Sequence, residues 1–460
     1  MSRLIQDWRP EDSDFWQNSG KKTASRNLWI SIPALMLAFA IWQVWSVAVI
    51  NLPSIGFQYN ENQLFWLAAM PALSGATLRI FYSFLVPIFG GRRWTAISTA
   101  SLLLPAIGLG LAVQNPDTSY TTMLILALLC GFGGGNFSSS MANISFFYPK
   151  AEKGTAMGLN AGLGNLGVSV AQFLVPLVIT AALFGSLGGE PQTWGRDGVT
   201  KQIWLQNAGF VWVPFIILSA IAAWFGMNDL ANAKAGFREQ VVIFKRKHNW
   251  IMCIIYLGTF GSFLGFAAGF PLLTKSQFTG VDPVKYAFIG PLVGALVRPF
   301  GGWLSDKIQS GAKITQWVFA GMIIAVFGVL FFLPSDGHGG NFWGFFACFL
   351  ALFALTGIGN GSTFMQIPII FLIQQQRLAE QGVISREQAL INAGKEGAAV
   401  AGFTGAFAAY GGFFIPKSYG TSIALTGSVN MALYCFIAFY VICLLLNWWY
   451  YTRARAEVKC

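Results

Sequence analysis

LFWLAAMPALSGATLRIFYSFLVPIFG, residues Leu64 to Gly90, decides how the chain reads. As a helix it is long enough to span a bilayer, which takes about 20 mostly apolar residues. It carries one charge, Arg79, well inside the apolar run. An arginine at that depth costs about 2.5–3.5 kcal/mol on insertion scales, so it lines a watery cavity, meets a partner or snorkels to a headgroup. A second run, YAFIGPLVGALVRPFGGWL from Tyr286 to Leu304, repeats the arrangement with Arg298 as its only charge. One such arginine near a helix end reads as structural. Two in matching positions read as a site.

Composition agrees with a membrane setting. The 460 residues are 55% hydrophobic and 10% charged, where soluble domains carry about 25% charged residues. Mean hydropathy is +0.57. The lipid bilayer is therefore a partner, and 52 glycines with 42 phenylalanines suit close-packed helices around aromatic-lined cavities. Twelve transmembrane helices are predicted, at 28–50, 63–89, 94–114, 121–148, 154–185, 206–227, 249–273, 285–305, 314–333, 342–373, 397–416 and 428–450. The first starts too late and runs too long for a typical cleaved signal.

The net charge of +11 suggests nucleic acid until its distribution is read. With the N-terminus inside, the outer segments hold only Arg196, Lys201, Lys275, Lys285 and Lys417. Arg79 and Arg298 aside, every other lysine and arginine falls in an inner segment. That bias is the positive-inside rule, and it places both termini in the cytoplasm with no nucleic acid needed. The six cysteines form no CxxC pair and five lie in apolar runs, so no disulfide framework, metal site or cofactor is expected. His248 and His338 fall in expected loops. No nucleophile–base pair stands out, and the chain reads as no enzyme.

The halves echo each other. Arg79 lies eight residues before Pro87, and Arg298 eight before Asp306. GFGGGNF (Gly131–Phe137) answers GIGNGSTF (Gly357–Phe364). Both separations are close to half the chain, as two six-helix repeats would give. The expected layout is a cytoplasmic segment 1–27, a six-helix bundle 28–227, a linker 228–248, a second bundle 249–450 and a tail 451–460. The fold class is an all-α integral membrane protein of two pseudo-repeated six-helix bundles.

Glycine runs mark four spans: GFGGGNFSSSMAN, GLNAGLGNLG (Gly158–Gly167), GIGNGSTF and GFTGAFAAYGGFF (Gly402–Phe414). Small residues let membrane helices approach closely. Gly158 and Gly162 form a GxxxG pair, and Gly164 with Gly167 widens the smooth face. Gly164, Gly167, Gly411 and Gly412 are the candidates for surfaces that slide as the protein changes conformation. Close helices also leave a small cavity, suited to a small anion. The turn GGWLSDKIQSGAK (Gly301–Lys313) resembles the loop motif of the major facilitator superfamily, with Asp306 and Lys307 placed for gate contacts. Its first-half counterpart, VPIFGGRRW, has Pro87 where an acid would stand.

No Asp or Glu lies deep in any span; Asp306 and Glu396 sit at span edges. Two cations in a low-dielectric cavity repel, and an anion relieves them. Without an intramembrane acid as proton relay, exchange of one anion for another is expected. The alternative is proton symport.

Several stretches are similar to the NarK-type nitrate/nitrite porters of the major facilitator superfamily. They include DWRPED (Asp7–Asp12), SRNLWIS (Ser25–Ser31), GGRRWTA, SSMANISFF, GLGN and GVSV around Leu166, AWFGMNDLA (Ala223–Ala231), TFGSF and GGFFIPK (Gly411–Lys417). The resemblance covers nearly the whole chain. It implies the major facilitator fold and a transporter exchanging nitrate and nitrite across a bacterial inner membrane, expected to act as a monomer. It also implies that Arg79 and Arg298 hold the anion, that Phe137 and Phe260 clamp it, and that Tyr256 and Asn165 add hydrogen bonds. Guanidinium forks suit a planar trigonal oxyanion. Tyr256 and Phe260, four apart, share a helix face. Ala161 departs from the family's usual glycine.

Overall fold

Apolar runs of this length fold as helices because a bilayer offers no partner to a bare N–H or C=O. The computed structural model describes residues 3–196, 198–231, 241–334 and 339–460. Among these, twelve helices are long and apolar enough to cross a membrane. They are α1 (Ser13–Asn51), α2 (Glu61–Phe89), α3 (Gly91–Ala112), α4 (Tyr120–Phe147), α5 (Lys150–Val178) and α6 (Asn207–Gly226). The second six are α7 (Lys247–Gln277), α8 (Pro283–Ile308), α9 (Gly311–Phe332), α10 (Phe342–Glu380), α11 (Arg386–Thr426) and α12 (Asn430–Thr452).

Polar caps set where several of these helices begin. The Asp12 carboxylate accepts from the Asp14 and Phe15 N–H groups and starts α1. Asn60 and Gln63 form a reciprocal capping box at α2. Ser119, Ser310, Asn341 and Ser385 cap α4, α9, α10 and α11. These caps move some boundaries away from the apolar runs. Helix α1 begins at Ser13 rather than near Leu28, and α11 begins at Arg386 rather than 397. At 1.5 Å per residue, α10 is about 58 Å long and outreaches a bilayer of about 45 Å.

Among the described residues, four short strands accompany the helices. β1 (Leu4–Ile5) pairs in parallel with β4 (Asp229–Leu230). β2 (Gln192–Arg196) pairs antiparallel with β3 (Val199–Ile203). The hairpin follows α5, which ends at Val178 and not at 185. The Trp194 indole N–H donates to Asn51 at the end of α1, and the Lys201 ammonium lies 4.5 Å from the Trp194 ring centre.

The chain divides into two compact units. One holds Met1–Ala235, Ala267–Leu272 and Asp282–Phe288; the other holds Gly236–Phe266, Leu273–Val281 and Ile289–Cys460. In unit 1, α4 lies against α2 at glycines: a Cβ on Gly134 would stand 2.7 Å from the Gly75 Cα. A Cβ on Gly167 of α5 would strike the Met36 carbonyl of α1. Between α2 and α3, Gly90 turns with φ +88°, and a side chain there would run into the Asp229 carboxylate. In unit 2, Gly411 of α11 presses on Gly261 of α7. Gly158 and Gly162, which read as a packing pair, have open space where a Cβ would stand. The close approach in α5 belongs to Gly164 and Gly167.

Among the described residues, both polar end segments pack against helices. Trp8 and Trp16 pack with Phe147, Tyr148 and Ala156 in one apolar cluster. After α12 the tail folds back: Val458 is fully buried, and Ser310 Oγ donates to the Cys460 carbonyl at 2.7 Å. Burial pushes the Cys460 thiol up to about 12. His248 is not in a loop. It is buried in the first turn of α7, with Nδ1 2.9 Å from Tyr451 Oη and Nε2 3.2 Å from Glu457 Oε1. His338 lies outside the described residues. All six cysteines are free thiols.

Candidate functional site

Arg79 is carried by α2 and is 1% exposed. Its Nε donates to the Gly134 carbonyl of α4 at 2.9 Å. The glycine run of α4 brings that carbonyl within reach, since any side chain at Gly134 would push α4 away from Gly75. Its guanidinium carbon lies 4.6 Å from the Phe137 ring centre, 4.9 Å from Trp42 and 6.0 Å from Phe39. Desolvated cation–π contacts of this kind contribute about 2 kcal/mol. Trp42 is held by its own indole N–H, which donates to the Pro71 carbonyl at 2.6 Å. The structure thus brings Arg79 together with Phe137, Trp42 and Phe39. An aromatic at each turn of α1 near the glycines of α4 was the available signal for these two.

Arg298 is carried by α8 and is half-buried. Its Nη2 donates to Tyr256 Oη at 3.3 Å. Because that oxygen accepts from the guanidinium, its own O–H hydrogen stays available to a further acceptor. Arg298 Nη1 is buried with no hydrogen-bond partner among the described residues. The Tyr256 and Phe260 rings stack at 5.3 Å with 13° between their planes. Phe260 lies 6.0 Å from the Arg298 guanidinium carbon. A π-turn at Leu257–Gly261 interrupts α7 directly after Tyr256 and contains Phe260. Such bulges re-aim side chains and are frequent at functional sites. Phe364 of α10, 6.1 Å from Tyr256, extends the aromatic wall. In unit 2 the unpartnered Arg298 N–H and the Tyr256 O–H set hydrogen-bond donors side by side, and in unit 1 Arg79 is a buried cation.

Asn165 is buried on α5, and its Oδ1 has no hydrogen-bond partner among the described residues. Gly164 meets Leu35 of α1, and Gly411 and Gly412 are buried at the start of the last stretch of α11. Asp306 is exposed in the last turn of α8, and no side-chain hydrogen bond or ion pair of it occurs among the described residues. Lys307 lies over Trp303 instead.

The acid missing from VPIFGGRRW comes from elsewhere in the chain. Asp229, just after α6, accepts from the Arg92 backbone N–H at 2.9 Å and from Arg92 Nε at 3.1 Å. Both side chains are 9% exposed. Arg92 Nη1 also donates to the Trp224 carbonyl, so the ion pair is hydrogen-bonded on several sides, as burial demands. Unit 2 has its own pair: Arg246 makes a two-pronged contact with Glu396 of α11 at 2.9 and 2.6 Å. An acid directly after the apolar run of α6 was the sequence signal for the first pair.

Residues 34–385 match the family model of the Major Facilitator Superfamily. The chain is 49% identical over 460 residues to the nitrate/nitrite transporter NarU of Escherichia coli (strain K12), covering 99% of this chain and 98% of that protein. It is 44% identical over 462 residues to a probable nitrate/nitrite antiporter, NarK2, of Thermus thermophilus, covering 99% and 98%. Among solved structures it is similar to a bacterial homolog of the human lysosomal transporter Spinster, in an inward-facing, unoccupied conformation. That likeness has a TM-score of 0.65 and 17% identity, over 93% of this chain and 96% of that chain. At that identity it speaks for the fold alone.

Proposed function

The chain belongs to the major facilitator superfamily and, within it, to the NarK-type nitrate/nitrite porters; from that membership we propose that it exchanges nitrate for nitrite across a bacterial inner membrane by alternating access. Both termini face the cytoplasm in this reading, on the strength of the lysine and arginine bias. Arg79 and Arg298 each give a guanidinium fork to the anion. Phe137 and Phe260 select a flat ion, and Tyr256 and Asn165 add uncharged hydrogen bonds.

The observation that carries the reading is Arg79, a cation held 1% exposed by a helix carbonyl and three aromatic rings. A fold keeps a charge at such cost where an anion repays the desolvation. The Tyr256–Arg298 contact supports the second half of the site, since it leaves an O–H aimed by a cation. Glu396, one of the two carboxylates placed at span edges, is engaged by Arg246 and Gln375. That favours exchange over symport, because a committed carboxylate makes a poor proton relay.

Purified protein in liposomes tests the reading, with nitrite inside, nitrate outside, an internal pH dye and no imposed gradient. Nitrate uptake that needs internal nitrite and leaves pH unchanged is the expected result. Uptake into empty liposomes with internal acidification overturns exchange in favour of nitrate/proton symport.

A further inference from the structure

Gln172 lies on α5, two turns beyond Asn165, and is fully buried. Its Nε2 donates to the Ala267 carbonyl of α7 at 2.7 Å and to Ser46 Oγ of α1 at 2.9 Å. Each acceptor sits at a break in a helical ladder. Ala267 lies four residues before Pro271, which is inside the helical stretch Ser262–Gln277. Proline has no N–H, so the Ala267 carbonyl loses the donor that an unbroken helix would supply. In α1 the ladder lapses at Val44, whose N–H reaches only the Ile41 carbonyl, at 3.4 Å. Ser46 Oγ bonds back to the Gln43 carbonyl at 2.6 Å just there. A carbonyl only accepts, so the amide must turn its nitrogen towards Ala267. One turn earlier on α5, Ser169 Oγ donates to the Phe288 carbonyl at 2.9 Å. Gln172, Ser46, Ala267, Pro271 and Phe288 all belong to unit 1, although α7 on either side of Ala267–Leu272 belongs to unit 2.

We propose that Gln172 is a positioning residue for transport: its amide replaces the backbone donor that Pro271 denies to Ala267, and it ties the break in α7 to the break in α1. Helices bend where the ladder is interrupted, and α7 is the helix that carries Tyr256 and Phe260. The amide therefore controls the conformational step and leaves anion affinity to the arginines. This inference rests on the exchange reading above.

The test uses full-length protein in liposomes and a double-mutant cycle of Q172L and P271A. Alanine at 271 restores a backbone N–H to the Ala267 carbonyl and makes the glutamine redundant. Q172L alone should raise amide hydrogen–deuterium exchange across Ala267–Gln277 about tenfold, the loss expected of one buried hydrogen bond. It should change the maximum exchange velocity at least about twofold with little change in KM, the mark of an interaction outside the binding step. In the P271A background, Q172L should change the protection of that segment by less than about twofold. Equal effects in both backgrounds, or unchanged protection in Q172L, overturn the proposal. If Q172L fails to insert, Q172M keeps the volume and is judged by the same cycle. Absence of nitrate/nitrite exchange in the unsubstituted protein sinks the functional reading, and the protection cycle then still decides for or against the tie.

Discussion

Arg79 and Arg298 occupy matching places in the two halves, yet their surroundings differ. Arg79 is enclosed by Trp42, Phe39 and Phe137, and its Nε is committed to the Gly134 carbonyl. Arg298 is half-buried, its Nη2 rests on one phenol, and its Nη1 has no hydrogen-bond partner among the described residues. The first arginine is therefore part of the packing of its unit as well as a candidate ligand. The second is held lightly, with one guanidinium nitrogen left for a ligand in the proposed exchange. The polar helices behind them differ in the same sense. In unit 2, Thr315, Ser362 and Gln366 satisfy one another at 2.7–2.8 Å. In unit 1, Thr99 Oγ1 and Asn136 Oδ1 have no partner among the described residues, beside a cavity of about 10 Å³ that fits one water.

Lysine at each arginine separates the two roles most sharply. Both R79K and R298K should lower nitrate/nitrite counterflow roughly 100-fold or more, in line with the 2–5 kcal/mol that losing a buried charge contact costs. Only R79K should also melt markedly earlier in detergent, because it alone loses a carbonyl bond and three ring contacts. Equal melting temperatures for the two variants would erase the contrast.

Helix packing gives the next largest effect. G134A places a methyl against Gly75, and G361A places one against the Arg298 carbonyl. Each should destabilise by about 1–3 kcal/mol. G162A meets open space and should leave the melting temperature and counterflow unchanged. A destabilised G162A would show that the GxxxG pair packs after all.

Tyr256→Phe sharpens the picture of Arg298. Removing one hydroxyl between a cation and its anion should raise KM about tenfold, near 1.4 kcal/mol, with little change in thermal stability. A loss of stability instead would mean that the phenol fixes Arg298 as firmly as aromatic rings fix Arg79.

The smallest effect concerns the tail contact at the start of α7. Burial raises the Glu457 carboxyl, but hydrogen bonds from Lys247 and His248 and their charges outweigh it, leaving it below the usual carboxylate range. A lowered folded-state pKa contributes stability above the ordinary carboxylate pKa and loses it as pH falls through the folded value. The melting temperature should drop slightly over that acidic window, and E457Q should flatten the drop. An identical acid profile in E457Q would remove Glu457 as its source.

Much of this protein is legible in its residues. Apolar length alone placed the twelve spans, because a bilayer forces every backbone group in a long apolar run into a helix. The two deep arginines stood out because a charge is rare there and costly. Tyr256 and Phe260 were visible as a pair because four residues return to the same helix face. What was not legible depends on partners distant in sequence. The N-terminal helix began earlier than hydropathy implied because Asp12 caps it and Trp8 and Trp16 bury against Phe147 and Tyr148. His248 looked like a loop residue until the tail folded over it. Which glycines pack depends on what stands opposite: Gly164 and Gly167 face α1, while Gly158 and Gly162 face open space.

By itself, then, the order of residues determined the membrane setting, the helix count and the two cations, all of which follow from local hydropathy and spacing. Tertiary structure alone decided that Asp229 pairs with Arg92, that Trp42 shares Arg79 with Phe137, and that Gln172 reaches the carbonyl orphaned by Pro271. Those contacts join residues far apart in the chain, and only packing chooses which buried polar group satisfies which.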